Sequence, residues 1–235
     1  MSDRRAQVAA GLERVRSRIA AACERAGRSP GEVTLTVVTK FFPASDVRLL
    51  ADLGVSDVGE NRHQEAEAKA AACGDLDLTW HFIGALQSNK AAAVAGYASV
   101  VESLDRPKLL RGLSAGAHLA GRPIDVLVQV NLDPGGPAGT GRSGVTPHEA
   151  AALAGLVSQA EGLRLRGVMG VAPLGEDPLP AFAKLADVAA QVRLLDPSAT
   201  WISAGMSNDL EAAVQSGATH VRIGSAVLGS RPSGR

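Results

Sequence analysis

The chain lacks any apolar run long enough to span a membrane, and Met1-Ser-Asp-Arg-Arg-Ala6 leads into a charged amphipathic helix rather than the apolar core of a signal peptide. A cytoplasmic location with no membrane partner is the expectation. Net charge is lacking as well. Lys plus Arg and Asp plus Glu both count 24, so no global field draws nucleic acid or anionic lipid. Only two cysteines are present, Cys23 and Cys73, both on expected helices and without CxxC spacing. That argues against a disulfide framework or a zinc site and leaves buried packing thiols. The five histidines show no HExxH pattern, so no metal site is expected.

What is present fits one domain over residues 1–235: 46% hydrophobic and 20% charged residues, a length suited to a single α/β barrel, and no linker that would part it in two. Val8, Leu12, Val15, Ile19 and Cys23 recur at helical spacing, and Gly27 and Pro30 end that helix. It is expected to cap the bottom of the barrel. Strand-like patterns then follow near residues 33–39, 55–59, 80–83, 98–102, 124–131, 164–169, 200–203 and 219–223, separated by helical patterns such as Pro43 to Leu53, Leu86 to Ala95 and Pro147 to Gln159. Eight strands alternating with helices predict a (β/α)8 barrel of TIM type with a leading helix. An open doubly wound sheet gives a similar local pattern. Residues 133–144 read as the loop after the fifth strand. Within it Gly139-Thr-Gly-Arg-Ser-Gly144 is formally GxGxxG but lies too far from the strand for a dinucleotide turn; a lid bringing Arg142 or Ser143 to the barrel mouth is the functional alternative.

Lys40 ends the first strand, Val33-Thr-Leu-Thr-Val-Val-Thr39. A lysine beside a proline turn is most often a solvated charge, but the β-branched run before it argues for a buried strand that delivers the amine to the barrel mouth. Loops after the last two strands are where barrel enzymes frequently hold phosphate. Here those loops are Ser203-Ala-Gly-Met-Ser-Asn-Asp209, in which Ser207 and backbone amides can meet an anion, and Ile223-Gly-Ser-Ala226, which offers Gly224 and Ser225. Each alone reads as helix capping; together, opposite Lys40, they read as a binding site. An amine facing a phosphate cradle suggests pyridoxal 5'-phosphate (PLP). Asn61, after the second strand, reads as a helix cap and as a ligand contact, since a capping position at the carboxyl end of a barrel strand also lies at the active-site face. His81, in Trp80-His-Phe-Ile-Gly84, is by itself more often a satisfied core histidine than a functional one.

These residues resemble the YggS/PROSC family, single-domain PLP-binding proteins related to the barrel domain of alanine racemase. The likeness runs from about Val33 to Arg231 and rests on the strand-end lysine, Gly59-Glu-Asn61, Trp80-His-Phe-Ile-Gly84, Leu86-Gln-Ser-Asn-Lys90, Arg142-Ser-Gly144, Gly205-Met-Ser207 and Val221-Arg-Ile-Gly224. The resemblance implies a fold type III PLP barrel in which Lys40 carries the cofactor as an internal aldimine. Ser207, Gly224 and Ser225 would surround the phosphate, Arg222 would stand at the pyridine nitrogen, and Asn61 and His81 would complete the cofactor-binding set. The chain departs from the family in reading Thr39-Lys-Phe-Phe-Pro43 where members usually have Ser-Lys-Thr-Lys-Pro, which turns a polar rim aromatic. It also has Gly84-Ala-Leu-Gln-Ser88 in place of Gly-His-Leu-Gln-Ser, Ser225 for a usual threonine and Asn208 for a usual aspartate.

An amine reacts with an aldehyde only when neutral, so burial and a nearby arginine should both lower the pKa of Lys40. Arginine at the ring nitrogen also makes the ring a weaker electron sink than a carboxylate would. The first expectation is therefore a non-catalytic carrier, which the resemblance links to intracellular PLP, vitamin B6 and amino-acid homeostasis, with PLP as ligand, apo PLP-dependent enzymes as acceptors and no catalytic residues. The second is a PLP-dependent amino-acid racemase, which needs a second base such as the tyrosine that related barrels take from a further domain. Tyr97 is the chain's one tyrosine and is expected on the far helix side. A third, a Schiff-base aldolase on sugar phosphates, would use Lys40 without cofactor.

Overall fold

The computed structural model describes residues 2–135 and 142–230. Helix α1 (Ser2–Arg25) precedes eight parallel strands: β1 (Thr34–Val38), β2 (Asp57–Glu60), β3 (Thr79–Phe82), β4 (Val100–Leu104), β5 (Ile124–Asn131), β6 (Leu163–Val171), β7 (Trp201–Ser203) and β8 (His220–Ile223). They pair in sequence order and close, β8 against β1 with Thr36 opposite Arg222. The barrel, not the open sheet, is what forms. Between the strands run α2 (Ala44–Asp52), α3 (His63–Ala72), α4 (Ala91–Tyr97), α5 (Leu110–Leu119), α6 (Pro147–Ser158), α7 (Pro178–Leu195) and α8 (Leu210–Gln215), and a short α9 (Ser225–Leu228) follows β8.

Local chemistry sets these boundaries. Thr146 and Glu149 form a capping box with Pro147 in the first turn of α6, and Asp177 accepts a hydrogen bond from the amide of Leu179 to start α7. The helix expected from Leu86 begins later: Gln87 is extended, Ser88–Lys90 is a single 3-10 turn, and Arg106 Nη2 holds the carbonyl of Leu86 at 2.6 Å. Of the described helices, none is long and apolar enough to cross a membrane.

The leading helix does not cap the barrel bottom. At 1.5 Å per residue its 24 residues span roughly 36 Å, and it runs along the outside of the barrel against α8 and α9. The reason lies at the other end of the chain. With only four residues, α9 cannot cover the face of β8 and β1, and the apolar stripe Val8, Leu12, Val15, Ile19 and Cys23 covers it instead, packed with Leu50, Leu210 and Val227. The approach is close enough that a Cβ on Gly11 would sit 2.3 Å from the carbonyl oxygen of Val227. A second apolar cluster, built around Phe182, Leu113, Leu185 and Val126, fills the opposite side between barrel and helices.

Candidate functional site at the barrel mouth

A cavity of about 460 Å³ opens at the carboxyl ends of the strands, lined by Lys40, Phe41, Ser207, Arg222, Gly224 and Ser225 among others. Strand alternation explains the membership. Thr36 and Val38 of β1 and Arg222 of β8 point into the barrel, so Lys40 and Gly224, two residues past Val38 and Arg222, come out at its mouth.

The backbone around Lys40 is held from outside the barrel. Thr39 Oγ1 donates to Glu60 Oε1 (2.6 Å), and Lys69 Nζ on α3 donates to the Thr39 carbonyl (2.7 Å), Glu60 (2.7 Å) and Glu65 (2.6 Å). The amide of Phe41 donates to the same Glu65 at 2.6 Å. Phe41 has φ 73°, a left-handed conformation that a non-glycine residue adopts at a cost of about 1–2 kcal/mol. The clamp on Thr39 and Phe41 thus fixes the turn that aims Lys40 into the cavity.

Across the cavity, the hydroxyls of Ser207 and Ser225 stand 3.4 Å apart. Gly205, at φ 92°, makes the turn out of β7, and a Cβ there would lie 2.7 Å from that of Ala213. Helix α1 supports this loop: Arg18 Nη1 donates to the Ser207 carbonyl at 2.9 Å while its guanidinium is paired with Glu211.

Arg222 forms part of the cavity floor with only 4% of its surface exposed. Its Nη1 donates to Ser203 Oγ (2.6 Å) and its Nη2 to the Gly170 carbonyl (2.9 Å). Below it the barrel interior is polar. Ser203 Oγ donates to Glu102 Oε2 (2.6 Å), the other oxygen of Glu102 meets His81 Nδ1 (2.7 Å), and His81 Nε2 meets Asp57 (3.0 Å). Burial would pull His81 down, but its hydrogen bonds to Asp57 and Glu102 prevail and raise it to about 9. Burial would push Glu102 up, yet His81 foremost and Arg222 after it draw it down to about 2. His81 is an imidazolium between two carboxylates. His220, buried nearby against Trp201, is instead held down at about 4 and stays neutral.

The model for the alanine racemase N-terminal domain matches residues 11–232. A relative from Mycobacterium tuberculosis named pyridoxal phosphate homeostasis protein is 42% identical over 245 residues, covering 97% of this chain and 95% of its own. The chain belongs to the pyridoxal phosphate homeostasis protein family. The member from Escherichia coli is 36% identical, covering 95% of this chain and 97% of its own. The solved structure of PipY from Synechococcus elongatus, which has PLP bound, matches with a TM-score of 0.82 and 35% identity over 95% of this chain and 100% of that one.

In this family member Lys40, Ser207, Arg222, Gly224 and Ser225 line one cavity, whereas Asn61 and His81 are not among the residues lining it. Asn61 follows β2, and Arg62 rather than Asn61 takes the capping position of α3. His81 lies deeper, inside the barrel. Gly139 and Gly141 of the GxGxxG segment fall outside the described residues. Arg142 and Ser143 line a neighbouring cavity of about 260 Å³ that shares Ile83 with the first, and Gln129 and Asn131 of β5 hold their carbonyls at 3.1 and 3.0 Å. Sequence reasoning missed Lys69, Glu65, Asp57, Glu102 and Ser203. Glu102 had a signal: a charged residue in the middle of the strand Val100-Val-Glu-Ser-Leu104.

The raised pKa of His81 has a consequence for stability. Because the folded value lies above the ordinary 6.5, the protonated histidine stabilises the barrel fully below pH 6.5, and that contribution is lost as pH rises to about 9. Thermal or urea unfolding is expected to show stability declining across this window, by an amount on the order of 3 kcal/mol. His81→Gln should flatten the slope; an unchanged slope in that variant would assign it to other groups.

Proposed function

We propose that this protein holds PLP covalently on Lys40 and acts as a non-catalytic carrier in PLP and amino-acid homeostasis, handing the cofactor to apo-enzymes that need it. The reading takes the chain as a single domain. The observation that carries it is the gathering, around one cavity, of a primary amine (Lys40), two hydroxyls 3.4 Å apart (Ser207, Ser225) and a buried guanidinium (Arg222). That donor set fits the group: the amine for an aldehyde, the hydroxyls for phosphate oxygens, the guanidinium for the lone pair of a pyridine nitrogen. Relatives of 36–42% identity carry the homeostasis name. Cys23 and Cys73 are free and buried, which suits a reducing cytoplasm.

When bound, PLP supplies an electrophilic aldehyde carbon and a ring that can take up electron density. Lys40 provides the attaching amine, and Ser207 and Ser225 fix the opposite end by donating to the phosphate. Arg222 is a donor only, so it hydrogen-bonds an unprotonated ring nitrogen and cannot accept a proton from a protonated one. That weakens the ring as an electron sink and disfavours transaminase-like or decarboxylase-like chemistry. A racemase would also need a second base at the cavity. Tyr97 is stacked on His63 (ring centroids 5.9 Å) with its hydroxyl buried, is not among the lining residues, and burial pushes its phenol up. Asp209 lines the cavity but accepts the Met206 amide at 2.6 Å, and Glu176 is exposed on the rim.

The test is to incubate PLP-loaded protein with alanine, serine or glutamate and follow the products by chiral chromatography, and separately to mix it with an apo PLP enzyme. No racemisation and restored activity of the apo-enzyme are expected. Steady racemisation that disappears in Lys40→Ala would replace the carrier with the racemase.

A further inference from the structure

The lumen of a (β/α)8 barrel is ordinarily filled by branched apolar side chains. Here polar side chains from five strands are linked inside it, the hydrogen bonds running unbroken from Asp57 on β2 through His81 and Glu102 to Ser203 and Arg222. We propose that Asp57, His81, Glu102 and Ser203 are positioning residues that fix the Arg222 guanidinium beneath the cofactor ring and balance its charge from inside the barrel. The inference rests on the reading above, in which Arg222 meets the ring of bound PLP.

Four points carry it. Burying several ionised groups stabilises a fold less than a well-packed apolar core of the same shape, so a lumen made this way calls for a reason beyond packing. The chain is directional: Ser203 donates to Glu102 and accepts from Arg222, and Glu102 Oε2 also lies 3.7 Å from Arg222 Nη1, so a single carboxylate oxygen orients the guanidinium directly and through the hydroxyl. The charges alternate along the chain, with the Asp209 carboxylate also acting on Arg222 and the Arg166 guanidinium on His220. Asp57 and Glu102 are held ionised by His81, His81 is held protonated by its hydrogen bonds to both, Arg222 is positive, and His220, whose ring centre is 6.3 Å from that of His81, is kept neutral by burial. The register of β4 shifts between Val101 and Leu104, around Glu102, as occurs where a strand re-aims a side chain.

The experiment measures, on PLP-loaded protein, the pH midpoint of the visible absorbance that depends on Lys40. Glu102→Gln removes one negative charge and leaves the site more positive, so the midpoint is expected to fall by about one pH unit. His81→Gln removes a positive charge and should move it the opposite way. Ser203→Ala keeps every charge but removes one of the two hydrogen bonds that hold Arg222, so the midpoint should stay and cofactor retention should weaken about ten-fold. Circular dichroism identifies any variant that fails to fold, and the remaining two still give opposed or contrasting results. Folded Glu102→Gln and His81→Gln proteins that titrate like the parent would reduce the chain to barrel packing and overturn the proposal. If the parent itself shows no Lys40-dependent band, the PLP reading fails and this inference falls with it.

Discussion

Lys40→Ala is expected to abolish the cofactor absorbance near the visible edge while leaving the barrel folded. The amine is the group proposed to bond the cofactor, so its removal leaves only the phosphate and ring contacts. Retention through dialysis should then fall to that of a small reversible ligand. The side chain lines the cavity rather than the packed core, and the turn that carries it is fixed by Thr39, Phe41, Glu65 and Lys69, all unchanged in the variant. The loss of stability should stay within about 1 kcal/mol. A variant that kept the absorbance would place the attachment elsewhere. One that lost both absorbance and fold would show that Lys40 is a structural residue.

Arg222→Glu should have the largest effect on stability. Considered with the cofactor alone, this change replaces a ring-nitrogen donor with a carboxylate that favours a protonated ring, and predicts a shifted spectrum and looser binding. The barrel interior adds a heavier consequence. Glu102 is fully buried with its Oε2 3.7 Å from Arg222, and Ser203 and the Gly170 carbonyl depend on the same guanidinium. A glutamate there would set two carboxylates face to face in a buried site, and breaking a buried pair in this way typically costs 3–5 kcal/mol (about that range here). Urea unfolding of the variant without cofactor measures this directly. Stability equal to the parent would mean that Arg222 and Glu102 are not coupled in the folded protein.

How much of this was legible in the sequence follows from which interactions are local. The strands were readable because β-branched runs such as Thr34–Val38 and Ile124–Asn131 lie between glycine- and proline-bearing turns, and closure followed from their number and alternation with helices. Lys40, Ser207 and Ser225 were readable because each sits where a strand gives way to its loop. The place of α1 was not, since it depends on α9 being four residues long and leaving a face uncovered. Nor was the clamp behind Lys40: Glu65 and Lys69 at i, i+4 look like an ordinary surface pair on a helix, and only the packing of α3 on β2 buries Lys69 against Glu60. His81 does not line the cavity and is buried inside the barrel. In β4, Val100-Val-Glu-Ser-Leu104, a charged residue in the middle of the strand marked the polar lumen, but its partners His81 and Ser203, and Asp57 beyond His81, come from three other strands that only barrel closure brings together.

The central claim, covalent attachment of PLP through Lys40, is tested most directly by reducing the PLP-loaded protein with borohydride, digesting it and mapping the modified peptide by mass. The account predicts the pyridoxyl group on the peptide containing Lys40 and on no other. Modification at Lys69, Lys90, Lys108 or Lys184 in place of Lys40, or no stable modification at all, would contradict it.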